Sequence, residues 1–135
     1  MSSIYEDVEL LKTQMAEMQS QLNDTGWIDL PLVGNAQAYN DDLKPKYRKI
    51  GNTVFLNGVV KNITAANTVF AQLPEGFRPI RQNYFVGGSS TISTGEATFF
   101  NCQVNADGNI RITTHSTGAY NANYYLRLNG SFLIR

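Results

Sequence analysis

The chain has 135 residues, of which 42 % are hydrophobic and only 16 % charged, with 11 basic and 11 acidic side chains. This excludes a disordered chain, which needs low hydrophobicity and high net charge, and a nucleic-acid binder, which needs clustered bases. One cysteine, Cys102, and one histidine, His115, exclude an intrachain disulfide and the usual metal clusters, so no cofactor or metal is expected.

The neutral total hides an asymmetry. Residues 1–26 carry Lys12 against Glu6, Asp7, Glu9, Glu17 and Asp24, and the compensating bases lie in 27–135. No apolar run approaches the ~18 residues of a membrane span, so no membrane insertion is expected. Residues 1–22 carry acids and a heptad, unlike a secretory signal.

The first element reads as a helix. Ile4, Val8, Leu11, Met15, Met18 and Leu22 keep an unbroken a/d spacing. Ser3-Ile-Tyr-Glu6 is a capping box, and Asn23-Asp24-Thr25-Gly26 is a stop signal. The e and g positions are mostly polar, so the apolar seam is narrower than that of a helix packed on its own domain. The spacing predicts a self-associating coiled-coil neck over 1–26.

From Trp27 the pattern shortens toward a period of two, and Asn, Gly, Thr and Ser become frequent. Strands are expected at Trp27–Val33, Tyr47–Ile50, Thr53–Asn62, Val69–Leu73, Tyr84–Gly88, Ala97–Val104, Asn109–Thr114 and Tyr124–Ile134. Gly51-Asn52 and Asp107-Gly108 suit tight turns. Asn57-Gly58 reads as a bulge or a turn, Gly87-Gly88-Ser89-Ser90 as a turn, and Gly130 as a bend. Prolines 74 and 79 mark a connection. The fold class predicted is mainly β: an antiparallel sandwich or jelly-roll-like head over 27–135 after the helical neck.

Chemistry-bearing residues are sparse. Cys102 lies in an apolar strand and reads as a core thiol. The acids of 27–135 (Asp29, Asp41, Asp42, Glu75, Glu96, Asp107) show no pairing of the kind glycosidases require. Neither phosphate-loop glycine motif is present. No catalytic residue is assigned.

The stretch from His115 to Tyr125 mixes aromatics, amides and hydroxyls without a charge. Aromatic rings stack on the C–H faces of sugars, and amides and imidazoles meet their hydroxyls. His115, Tyr120, Asn121, Asn123 and Tyr124 are therefore the candidate saccharide-binding residues, on a loop leading into the last strand.

The whole pattern resembles a known family. The residues that carry the resemblance are Gly26-Trp-Ile-Asp-Leu, Tyr47-Arg-Lys-Ile-Gly-Asn-Thr-Val-Phe-Leu-Asn-Gly, Leu73-Pro-Glu-Gly-Phe-Arg-Pro, Val104-Asn-Ala-Asp-Gly-Asn-Ile and Tyr125-Leu-Arg-Leu-Asn-Gly-Ser-Phe. They are similar to the C-terminal head domains of tail-fibre or baseplate tip proteins of long-tailed phages of Gram-positive hosts. The resemblance covers nearly the whole chain, and its motifs are structural.

It implies a homotrimer at the distal virion tail, attaching to host cell-wall or cell-surface polysaccharide beside other tail or baseplate proteins. The competing expectation is a structural baseplate or tail-fibre subunit that binds other virion proteins and no glycan. A wall-trimming enzyme and a cytokine-like ligand rank below both. At this length the chain is expected to be a small baseplate subunit or a C-terminal piece.

Overall fold

A computed structural model describes residues 3–90 and 98–134, with the backbone alone at 20–22. Helix α1 spans Ile4–Leu22. Its start follows the sequence signal, because Ser3 Oγ accepts the Glu6 N–H at 3.2 Å. Glu6 and Asp7 in the first turn complement the helix dipole. The chain turns extended at Asn23. Ile4, Val8, Leu11, Met15 and Met18 are all at least 42 % exposed. The helix therefore does not bury its seam on its own chain; the Leu22 side chain lies outside the described residues.

Nine strands among the described residues form one antiparallel sheet. They are β1 (Ile28–Asp29), β2 (Gln37–Ala38), β3 (Lys46–Ile50), β4 (Thr53–Lys61), β5 (Val69–Gln72), β6 (Asn83–Ser90), β7 (Thr98–Val104), β8 (Asn109–His115) and β9 (Tyr125–Leu133). Neighbours run in the order β1-β3-β4-β9-β6-β7-β8-β5, with β2 beside β4. The predicted mainly β, antiparallel sandwich class is the one observed.

The expected 27–33 strand is broken: β1 is short, and only Leu32 pairs again, with Ala71 of β5. That break closes the sheet. Ile28 pairs with Tyr47 at one edge. Shortly afterwards, Val33 N–H donates to Phe70 O at 2.9 Å and Gln72 N–H to Pro31 O at 3.0 Å at the other edge. One short segment thus covers both exposed edges of the sheet.

Alternation puts one face of each strand into a single core. Val54, Leu56 and Val60 meet Leu126, Leu128 and Phe132 across β4 and β9, with Phe100, Cys102, Val104, Ile110, Ile112 and Phe70 opposite. Cys102 is the buried core thiol expected, and burial pushes its pKa up. Each such side chain contributes ~1.5–3 kcal/mol of burial.

Three glycine readings change. Asn57-Gly58 is neither a turn nor a bulge: β4 runs through it, paired with β9 in unbroken register. Gly58, at φ +120°, marks where the other neighbour of β4 changes from β3 to β2, and Pro45 crosses against it with no room for a side chain. Gly87-Gly88-Ser89-Ser90 is strand β6 rather than a turn. A Cβ on Gly87 would lie 2.5 Å from the Phe100 ring, so glycine is required there by packing. Gly130 sits inside an unbroken β9, where the Phe85 ring fills the space a side chain would take.

The two ends of the sheet differ. The Gly51 N–H donates to Asn23 O at 2.8 Å, the Thr25 N–H to Lys49 O at 3.0 Å, and the Ile134 N–H to Asn52 O at 2.9 Å. The exit of α1, the β3–β4 turn and the end of β9 therefore share one end. There Asp24 accepts from Arg48 Nε at 2.7 Å and from Gly26 N–H at 2.8 Å. The same Arg48 guanidinium lies 5.6 Å from the Trp27 ring centre.

β4 runs away from this end and β9 returns to it. Nine residues of β4, at ~3.3 Å each, place the ends ~25–30 Å apart. Loop 116–124, between β8 and β9, therefore lies at the far end, where the Asn62 N–H beyond β4 donates to Ala122 O at 3.0 Å.

Candidate functional site

The far-end loop is built on the last residue of β8. His115 pairs opposite Phe100 of β7 and points inward, 5 % exposed. Its two ring nitrogens are both engaged. The Thr117 N–H donates to Nδ1 at 3.2 Å, and Thr117 Oγ1 lies 2.8 Å from the same nitrogen. Nδ1 is thereby an acceptor, which assigns the ring hydrogen to Nε2.

Nε2–H then donates to Ser89 Oγ at 2.7 Å. Ser89 Oγ in turn donates to Thr98 Oγ1 at 2.7 Å, whose own hydroxyl donates to Ser89 O at 2.6 Å. Every polar atom of this chain has its partner inside the protein. Burial pushes the His115 pKa below the ordinary imidazole value.

A Ser–His contact of this length invites comparison with a nucleophile and its base. Here the proton sits on the wrong nitrogen, so His115 donates to Ser89 and takes nothing from it. Thr117 stands where an orienting carboxylate would stand, and Ser89 itself is buried. The arrangement fixes a loop.

Two rings cover the imidazole. Tyr124 stacks on it at 5.2 Å between centroids, and Tyr120 meets it at an angle at 6.3 Å. The Tyr120 hydroxyl donates to Thr113 O at 3.4 Å. Between them the chain makes a tight turn: the Tyr124 N–H donates to Asn121 O, and the Asn123 N–H to Asn121 Oδ1, both at 2.9 Å. Asn121 and Asn123 are exposed on that turn.

The structure thus brings His115, Tyr120 and Tyr124 into contact beneath an exposed Asn121/Asn123 turn. Of the five residues expected from sequence, the imidazole is the one turned away from solvent.

Sequence reasoning missed the neighbours. Tyr39 and Tyr125 pack at 4.3 Å, tilted by 58°. The Asn62 side-chain amide donates to Asn35 O at 2.6 Å and joins the 34–40 segment to this end. Asn35-Ala-Gln-Ala-Tyr-Asn40 shares the uncharged Tyr/Asn texture of the loop at 115–125, and that texture is the signal that could have found it. Among the described residues no His/Cys/Asp/Glu group could hold a metal, and no helix is long and apolar enough to cross a membrane.

A family model described as the YomR C-terminal beta sandwich domain matches residues 21–129. The structure is similar to that of the receptor-binding protein of Listeria phage PSA, with a TM-score of 0.66 and 16 % identity, covering 100 % of this chain and 82 % of that one. It is also similar to the head domain of the lactococcal phage bIL170, presented as a receptor-binding domain. There the TM-score is 0.60 and the identity 16 %, over 81 % of this chain and 97 % of that one. No curated protein matches the chain.

Proposed function

We propose that this chain, which belongs to the YomR C-terminal beta sandwich domain family, is a non-catalytic receptor-binding head at the distal tip of a phage tail. It attaches as a homotrimer to polysaccharide of the host cell surface. Residues 1–26 act as the neck and 27–135 as the head. The fold shared with two phage receptor-binding heads supports the role.

The observation that carries the saccharide reading is the position of the uncharged Tyr/Asn loop. It lies at the end of the sheet opposite the attachment of α1, where a tail-borne head would first meet a cell. Asn121 and Asn123 supply exposed amides, and Tyr120 and Tyr124 supply ring faces. His115 acts from below, as the residue that positions the loop. The exposed seam of α1 supports self-association, because an apolar stripe left in water needs partner helices. Several weak sites on one trimer would then act together on a repetitive polymer.

The test is binding of the purified full chain to cell-wall polysaccharide fractions from Gram-positive bacteria, measured by biolayer interferometry. Asn123→Ala should weaken binding ~5-fold, a lost amide being worth ~1 kcal/mol, with an unchanged melting temperature. A wild-type chain that binds none of these fractions but captures other tail proteins would identify a structural baseplate subunit instead.

A further inference from the structure

Tyr84 (59 % exposed), Val86 (63 %) and Phe99 (55 %) lie on the outer face of the β6–β7 pair. Isolated apolar residues on a surface need no explanation, but these are contiguous. Tyr84 pairs across with Gln103, Val86 with Asn101, and Gly88 with Phe99. The six residues form a stripe without a single charge.

Val86 and Phe99 line one shallow depression beside Asn101 and Thr114. Ile80 and Leu133, both about 60 % exposed, line another and extend the apolar surface to the end where α1 joins. Its tyrosine, phenylalanine and aliphatic side chains, bordered by Arg81 and Arg127, have the composition of an interface core with a polar rim.

We propose that this outer face of β6 and β7 is where one head packs against a second copy of the chain. The inference rests on the self-associating head proposed above. Three observations select a second copy. First, the exposed a/d seam of α1 fits a helix bearing the same seam, which every copy carries. Second, β6 and β7 run between the two ends of the sheet, so heads gathered by their helices at one end would present these long faces to one another at high effective concentration. Third, both edges of the sheet are already covered by residues 28–33, so copies meet through side chains rather than by strand addition.

The experiment compares full-length wild type with Val86→Glu/Phe99→Glu by sedimentation equilibrium and circular dichroism. Both side chains point to solvent, so the variant should fold while its association constant drops at least ~10-fold, as for loss of an interface anchor. An unchanged association constant, or a wild type that is monomeric at micromolar concentration, overturns the proposal.

A second readout does not depend on the folding of that variant. Tyr84 should be protected from acetylation in wild type and become reactive in Leu11→Asp/Met15→Asp, whose seam is broken. Equal reactivity in an assembled wild type and a dispersed variant overturns the proposal. Polysaccharide binding is measured on the same samples: assembly through this face without binding sustains the interface and removes the saccharide reading, whereas binding without protection of Tyr84 does the reverse.

Discussion

At the scale of single residues, His115 shows how a polar side chain can be structural. Its buried ring stands between a backbone N–H of the loop and a Ser–Thr hydroxyl chain that joins β6 to β7. His115→Ala would empty a buried position and take from Ser89 Oγ one of its two hydrogen-bond partners, at ~1–3 kcal/mol. The melting temperature should fall by at least ~5 °C.

The pH dependence follows from the direction of the shift. The folded pKa lies below the unfolded value of 6.5, so the unfolded chain binds more protons as pH falls. The contribution of the neutral ring is complete above 6.5 and is lost as pH falls from there toward the folded pKa. Urea midpoints measured from pH 7.5 to pH 5 should therefore decline in wild type and stay flatter in the alanine variant.

At the scale of elements, the sheet is patterned as strands should be, and its glycines are placed by contacts between strands. The Thr53–Lys61 and Tyr125–Leu133 strands could be read from alternation because each hides one face. The Gly-Gly-Ser-Ser run of β6 could not. Its composition signals a turn, yet Gly87 is small to admit Phe100, and Ser89 is polar to hold His115. Both reasons lie on strands distant in sequence.

Gly87→Ala should cost ~2–3 kcal/mol by overpacking, seen as a lower urea midpoint with an unchanged slope. Adding Phe100→Leu should relieve only part of the overpacking, because the new methyl still meets the Arg127 carbonyl oxygen at 2.5 Å.

At the scale of the whole molecule, the helix and the sheet meet in one polar knot. Asp24 holds Arg48 and the Gly26 N–H, and Arg48 stacks over Trp27. The hydrogen bond from Arg48 is the largest influence on the Asp24 carboxyl and draws its pKa down from 3.8 to about 2. The stabilising contribution of this carboxylate is present above pH 3.8 and is lost as pH falls toward 2. Trp27 is the one tryptophan of the chain, so its fluorescence reports on the knot alone. That emission should change between pH 4 and pH 2 in wild type, and Asp24→Asn should show the acid-side emission at neutral pH with no further change.

The sequence by itself determined what depends on local spacing. It determined the helix from Ile4 to Leu22 with its Ser3 cap, the mainly β class of the rest, the Gly51-Asn52 and Asp107-Gly108 turns, and the buried state of Cys102. Period, capping and turn chemistry act within a few residues, so they are written in the order of the chain.

The tertiary structure alone decided that residues 28–33 cover both sheet edges and that the loop at 116–124 stands opposite the attachment of α1. It also decided that His115 turns inward beneath two tyrosines, and that Tyr39 joins Tyr125. Each of these depends on which strands lie side by side. Many pairings satisfy the same alternation, and the choice among them is made by shape, as where Phe100 fills the space beside Gly87 and Pro45 crosses Gly58.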